Sequence, residues 1–186
     1  MNNKYIINLA TSALISYFDN GCEYTQVIEG KEVFIVPQSP EEIVKDSFLH
    51  YGKSVEGAIE AARLILKKKY ILPIGLSIHH NIFLIRCHAK GKAGTVWLVS
   101  SHIADIIADP TNVKKAIIHT KHRQSLTIDI KSAILQSKRS EASLLHSVLL
   151  ERKQMIHTRT FVLEKDKGIH FVKDPKQLTY TIFRSE

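Results

Sequence analysis

The stretch HHNIFLIRCHAKGKAGTVWL, His79 to Leu98, concentrates the residues best suited to chemistry. His79, His80, Cys87 and His88 carry the nitrogen and sulfur donors that bind zinc. Structural zinc sites, however, draw ligands about two to four residues apart, and these fall in adjacent pairs that a strand turns to opposite faces. No second such knuckle occurs in the chain, so no metal is expected and Cys87 reads as a small buried thiol. Gly91-Lys92-Ala93-Gly94-Thr95 has the residue types of a phosphate loop, but the order and spacing are wrong and the segment leads into a β-like run instead of a helix. Ser100, Ser101 and His102 place hydroxyls beside an imidazole without a nucleophile elbow or an acid partner. Neither enzymatic activity nor a cofactor is expected, which leaves charge as the feature to explain.

The 186 residues carry a net charge of +8, unevenly spread. Met1 to Leu66 is net −4; Lys67 to Arg139 holds 13 Lys/Arg against 3 Asp/Glu, net +10; the remainder is net +2. Lys67-Lys68-Lys69, Lys90 with Lys92, Lys114-Lys115, Lys121-His122-Arg123 and Lys138-Arg139 fall at predicted element ends or turn tips. There, long side chains can reach phosphates without disturbing a core. Such a field raises local anion concentration and makes binding steeply salt-dependent. Tyr70, Phe83 and Trp97 lie in apolar runs and read as core, so a stacking platform for single strands is not expected. Double-stranded DNA is the expected partner, with Lys67, Lys68, Lys69, Lys90, Lys92, Lys114, Lys115, Lys121, Arg123, Lys138 and Arg139 as candidate contacts gathering into one electropositive strip. The Lys121 to Arg123 tip is slim enough to enter a groove, where cations respond to the narrow minor groove of A·T-rich sequence. The alternative is a protein–protein function that leaves the basic field unused.

The elements that must position these residues are mixed. Hydrophobic content of 44% and charged content of 24% are ordinary for a globular chain, and no linker-like tract interrupts it, so residues 1–186 are expected to form a single domain with disorder confined to the ends. No apolar run is long enough to cross a bilayer and the amino terminus lacks a signal-peptide pattern, so a cytoplasmic location with two free cysteines is expected. KYIIN, ALISYF, EYTQVIEG and KEVFIVPQ read as short apolar segments, with Glu29-Gly30-Lys31 as a hairpin turn. Ser39, Pro40 and Glu42 form a helix start and Gly52 a stop, and a second helix runs from Ser54 to Lys67–Lys69. YILPIGLSI, IFLIR and TVWLV are strand-like, and HIADIIAD fits either state. AIIHT and SLTIDI flank a hairpin tip at Lys121. SKRSEASLLHSVLLERKQMIH reads as the longest helix, with Ser140 as its cap and Leu145, Val148, Leu149 and Met155 on one face. The tail forms a hairpin around Asp166-Lys167-Gly168 and a last strand. The sum is α+β: antiparallel β hairpins and sheet, two short helices in the first half and one longer helix in the second.

IVKDSFLHYGKSVEG (Ile43–Gly57), followed by LPIGLSIHHNIFLI and VWLVSSHI, resembles the competence transcription factor family, ComK, with little sign of gaps from about Ile43 to His102. The resemblance implies a bacterial, nucleoid-associated activator of genes for DNA uptake. Such proteins act on paired A·T-rich boxes as homo-oligomers and are checked by an adaptor that delivers them to a protease. Ser47, Gly52, Ser54, Gly57, Pro73 and Trp97 match motif positions and are expected to be mostly structural. The chain departs from the pattern at Phe48, where the family has Cys, at Leu72-Pro73 for Pro-Pro, at Ile85-Arg86-Cys87 for Phe-Pro-Thr, and at the basic turn that replaces an Asn-Gly tip.

Overall fold

The computed structural model describes residues 4–88, 94–156, 169–173 and 180–184. Contacts divide the chain into two compact units, Met1–Leu150 and Glu151–Glu186. In the first, β1 (Thr11–Asp19), β2 (Cys22–Glu29) and β3 (Glu32–Val36) form an antiparallel meander. A second meander, β4 (Ile74–Ser77), β5 (Ile82–His88) and β6 (Thr95–Val99), joins it through antiparallel pairing of β1 with β6. The product is a six-stranded sheet of order β3-β2-β1-β6-β5-β4. A short 3-10 turn, Ser100–His102, leads to β7 (Ile103–Ala108), β8 (Ala116–Thr120) and β9 (Ser125–Ile128), a separate antiparallel three-stranded sheet. In the second unit β10 (Ile169–Lys173) pairs antiparallel with β11 (Tyr180–Arg184). The turn expected at Asp166-Lys167-Gly168 lies outside the described residues, as do Lys90 and Lys92.

Strand alternation sorts the six-stranded sheet into two faces. Leu14, Val27, Leu84, Trp97 and Val99 pack with Ile43, Val44 and Phe48 of α1 (Pro40–His50). Their neighbours Ala13, Ile28, Phe83, Ile85, Val96 and Leu98 pack with Ile106, Ile118, Leu126 and Ile128 of the three-stranded sheet and with Leu135, Ala142 and Leu145 of α3 (Ser132–Ile156). The large sheet is therefore a middle layer with apolar side chains on both sides. This explains why YFLIV-type runs in β1, β5 and β6 read as almost continuously hydrophobic. α2 (Val55–Leu66) contributes to both cores, Ala62 to one and Ala58 and Ile59 to the other.

The helix signals are realised in detail. The Glu42 amide donates to Ser39 Oγ at 3.3 Å and the Ser39 amide donates to Glu42 Oε2 at 2.8 Å, a complete capping box with Pro40 in the first turn. Gly52 sits at φ +68 just beyond α1, a conformation that would strain a side-chain-bearing residue. Ser54 caps α2 by accepting from the Gly57 amide, and Lys67 ends it in the left-handed region.

KYIIN, one of the short apolar segments, forms no strand: its amides donate to side chains instead of a ladder, Tyr5 to Gln38 Oε1, Ile7 to Ser47 Oγ and Asn8 to Thr11 Oγ1. Two expectations are corrected. Tyr70, read as core with Phe83 and Trp97, is 82% exposed just beyond α2. The longest helix begins at Ser132, not near Ser140. Leu135, Ala142 and Leu145 form its buried stripe, so the helix must already be wound at Leu135; Ser140 is interior and its hydroxyl donates to the Gln136 carbonyl. HIADIIAD resolves as β7 because Ile103 and Ile106 pack into the core and the segment pairs with β8.

Ser47 is fully buried and bridges chain segments forty residues apart, accepting from the Ile7 amide at 2.9 Å and donating to the Ile43 carbonyl at 2.6 Å. Ser47→Ala strands the Ile7 N–H in the core. The expected cost is about 1–3 kcal/mol, read as a lower urea midpoint at unchanged slope.

Candidate nucleic-acid interface

The hairpin expected between β8 and β9 is present, with Lys121-His122-Arg123-Gln124 at its tip. The Thr120 amide donates to the Gln124 carbonyl at 2.8 Å, the Arg123 amide to the Thr120 carbonyl at 3.0 Å, and Arg123 takes the left-handed region at φ 66. The tip is not free-standing. Gln124 Nε2 donates to the Lys31 carbonyl at 3.0 Å, and the Lys121 amide donates to the His102 carbonyl at 2.9 Å. These two bonds dock the tip on the β2–β3 turn and on the 3-10 turn after β6.

The Gly30 amide in turn donates to the Ala10 carbonyl at 2.9 Å, so the start of β1 belongs to the same end of the large sheet. Lys31, His102, Lys121, His122 and Arg123 are thereby brought together. The His102 and His122 rings lie 5.2 Å apart, and His102 Nδ1 is 3.0 Å from Ser12 Oγ. Among the described residues, the ion pairs are Lys4–Asp46, Lys68–Glu141, Arg86–Glu41 and Lys115–Asp129; none involves this cluster. Burial, then the neighbouring His122 and Lys121, hold the His102 imidazole below its ordinary range, opposed by a hydrogen bond with the Leu9 backbone.

The remaining candidates sit on other elements. Lys67, Lys68 and Lys69 follow α2 and are exposed, with Lys68 Nζ 2.6 Å from Glu141. Lys114 and Lys115 lie in the turn between β7 and β8; Lys114 is exposed and Lys115 pairs with Asp129 at 3.5 Å. Lys138 and Arg139 lie within α3, not at its start. Lys138 Nζ donates to the Arg86 carbonyl at 2.9 Å, and burial holds its ammonium below the ordinary range against the opposing pull of Cys87 and Glu141. Arg139 donates to the Ile103 carbonyl at 2.8 Å and to the Ala104 carbonyl at 3.5 Å. Both side chains fasten α3 to strand backbone.

The motif residues sit at caps, turns and buried positions of the fold. Ser47, Gly52 and Ser54 serve as described above. A Cβ on Gly57 would stand 3.1 Å from the Ser54 hydroxyl that caps its helix. Pro73 is buried just before β4. Trp97 is buried, donates from Nε1 to Glu41 Oε2 at 2.6 Å, and lies under the Arg86 guanidinium, 5.6 Å from the ring centroid. Glu41 also pairs with Arg86, so one carboxylate in the first turn of α1 holds both partners.

Among the described residues, the donors of the His-rich stretch have separate surroundings. His80 Nδ1 is 3.0 Å from Ser77 Oγ, while Cys87 is buried in the opposite strand segment. Among the described residues, no group of three or more His, Cys, Asp or Glu could hold a metal ion, and no helix is long and apolar enough to cross a membrane.

The ComK family, described as ComK protein, matches residues 2–154. The chain belongs to the ComK protein family. No curated protein and no solved structure matches it. ComK proteins are a family of competence transcription factors, and the matched span contains the tip, its docking turns and most of α3, but not β10 or β11. Three members of the cluster, Lys31, His102 and His122, are not among the candidate contacts; His122 lies within the basic tip but carries no formal charge as a neutral imidazole. Lys31 was hidden inside a net-acidic segment, and His102 was weighed only as a catalytic base. The link between the tip and Lys31 spans ninety-three residues, and no local pattern encodes it.

Two outcomes follow from this ComK chain's titrating groups. Because folding holds His102 below its ordinary value, the folded state excludes a proton that the unfolded chain accepts. Stability is therefore full above the ordinary His range, near 6.5, and declines as pH falls through it. Chemical denaturation from pH 8 to 5 should show that decline, and His102→Phe should flatten it. Burial pushes the Cys87 thiol up to about 11, while Cys22 is exposed in the β1–β2 turn region. A thiol reagent at pH 8 should titrate one cysteine per native chain and two in denaturant; two fast thiols in the native protein would contradict the burial of Cys87.

Proposed function

We propose that this chain is a DNA-binding transcriptional regulator without enzymatic activity, an activator that prefers A·T-rich duplex. The observation that carries this reading is the convergence of Lys31, Lys121 and Arg123, with His102 and His122, at one end of the large sheet without a carboxylate paired to any of them among the described residues. Cations presented on two docked turns neutralise adjacent phosphates and release counterions. A narrow minor groove strengthens the same attraction, which gives a preference for A·T-rich sequence without base-edge hydrogen bonds. Lys67, Lys69 and Lys114, exposed on other elements, extend the contact along a bent or wrapped duplex. Lys68 and Lys115 contribute less because each shares its charge with an acid, and Lys138 and Arg139 act through the fold that they brace. Family membership supports the regulatory reading. It extends to a cytoplasmic, nucleoid-associated location, to a homo-oligomer that spans paired boxes, and to control by a protease adaptor.

The engagement of Lys68, Lys115, Lys138 and Arg139 inside the protein favours a second reading, a divergent relative that acts by protein–protein contact without DNA. Gel retardation on A·T-rich and G·C-rich duplexes at about 50 and 200 mM salt separates the two. Retardation of the A·T-rich duplex that collapses at the higher salt is expected. Each phosphate contact contributes about 0.9 to the logarithmic salt slope, so Lys121→Ala with Arg123→Ala should lower it by nearly 2 and Lys138→Ala should leave it unchanged. No retardation at low salt would leave the protein-binding reading standing.

A further inference from the structure

The two edges of the six-stranded sheet are treated differently. At one edge, β4 is flanked by α2, whose Ala62 reaches the core beside Leu72. At the other, β3 pairs only with β2, leaving its outer backbone groups without a strand partner among the described residues. Natural sheets guard such edges with an inward charge, a proline, a bulge or a covering element. The centre of β3, Val33-Phe34-Ile35, carries none of these: its register with β2 is unbroken, and Lys31 and Pro37 lie outside the strand.

The face beside this edge is also open among the described residues. Cross-strand register puts Tyr17, Tyr24, Gln26, Val33 and Ile35 on the same side of the sheet as Ala13 and Ile28. That is the side on which the three-stranded sheet and α3 pack, yet they stop short of β3: Val33 is 47% and Ile35 53% exposed, and Tyr17 is 44% exposed. An apolar shelf is left next to an open strand. Exposed apolar shelves joined to open strands are pairing sites.

The strand itself specifies the occupant. When β3 is laid antiparallel against a second β3 with Phe34 opposite Phe34, Val33 faces Ile35, Glu32 faces Val36 and Lys31 faces Pro37. No like charges oppose, and the exposed branched pair is repeated on both sides of the twofold axis, which is the isologous arrangement of a closed dimer. A peptide of another sequence would have to supply this complementarity; a second copy does so by symmetry.

We propose that two copies of this chain pair through β3, edge to edge and antiparallel about Phe34, to form one continuous sheet of twelve strands. The proposal rests on the oligomeric part of the functional reading and assigns it a surface. Lys31 immediately precedes β3, so the axis relates two basic clusters, with their Lys31 backbones about 20 Å apart along the strands at roughly 3.4 Å per residue. A five-residue ladder is a small interface, so the dimer should dissociate on dilution.

Sedimentation of the full chain under reducing conditions from about 1 to 100 µM tests this. The wild type is expected to shift from monomer to dimer. Val33→Lys and Ile35→Lys, each placing a charge on an already exposed position, are expected to remain monomeric with unchanged thermal unfolding, and Ile107→Lys, on an exposed position of β7, to dimerise like the wild type. A wild type that stays monomeric throughout, or an Ile35→Lys protein that dimerises normally, overturns the proposal. If one lysine variant unfolds the other decides, and if both do, Val33→Thr with Ile35→Thr, which keeps the β-branched shape at the two exposed positions, takes their place with a weakened dimer expected. Retardation of a single A·T-rich box by monomeric Ile35→Lys, without cooperative occupancy of two boxes, keeps the DNA reading while locating self-association at β3. A dimeric wild type that fails to bind any duplex sinks the DNA reading and leaves the interface.

Discussion

The pairing of β1 with β6 is the constraint from which the rest of the large unit follows. Ala13, Leu14 and Ile15 lie opposite Leu98, Trp97 and Val96, and this short ladder turns two separate three-stranded meanders into one sheet. Neither meander is covered on both faces by its own sequence neighbours. Joined, they form a layer wide enough for α1 on one side and the three-stranded sheet with α3 on the other. The ladder connects residues more than eighty positions apart, so its loop-closure cost falls due before either core can pay it back, a topology that folds slowly for its size. Trp97 shows how the junction is secured. Its ring lies in the α1-side core at the ladder, and its indole N–H reaches Glu41 at the start of α1, so one side chain ties the junction to the helix that covers it.

Charge in this chain is divided between bracing and display. Lys138 and Arg139 extend from α3 to the carbonyls of Arg86, Ile103 and Ala104, where a cation satisfies acceptors that the strands leave over. Arg86 is held over Trp97 by Glu41. These basic residues lie close in sequence to the displayed ones and share their composition, but burial assigns them a different task. A half-buried ammonium accepts a lowered pKa in exchange for position, as Lys138 does, and such a group cannot also reach out to a polyanion. The displayed cations are those whose backbones form turns: Lys31 after Gly30, and Lys121 and Arg123 between β8 and β9.

The sequence made local structure readable and distant contacts unreadable, for physical reasons visible at particular residues. Ser39 with Glu42, Ser54 with Gly57, and Gly52 all act over four residues or fewer, and each appears in the structure where its type placed it. The β8–β9 hairpin was legible because a polar tip separates two apolar runs. The start of α3 was not, since Ser140 looks like a cap and only tertiary burial of Leu135 shows that the helix has begun eight residues earlier. KYIIN has strand composition, yet Gln38, Ser47 and Thr11 capture its amides, a competition no periodicity reveals. At the site, charge counting found Lys121 and Arg123 but also selected Lys138 and Arg139, because a net charge cannot distinguish a cation facing solvent from one facing a carbonyl. Lys31 escaped for the converse reason: its neighbours in sequence, Glu29 and Glu32, are acidic, and only the docking of Gln124 brings the basic tip beside it.

The docking of the β8–β9 tip has a consequence for the charges that it carries. The docking brings the backbones of Lys31, Lys121 and Arg123 to one end of the large sheet, and the contacts that achieve it are neutral: an amide side chain on the Lys31 carbonyl and a backbone amide on the His102 carbonyl. Neither bond gains from the positive charges around it, and each is worth about 1 kcal/mol net. On the proposed DNA-binding reading, a phosphate held between the two turns would offset this gathered charge and so strengthen the docking that created its site. His102 adds to this linkage, because an anion beside it raises a pKa that burial and its cationic neighbours have lowered. On that reading, phosphate binding, proton uptake and the docked position of the tip would favour one another. That coupling follows from a turn held by uncharged hydrogen bonds beneath charged side chains, and it would be lost if a carboxylate stood in place of Gln124 and neutralised the cluster from within.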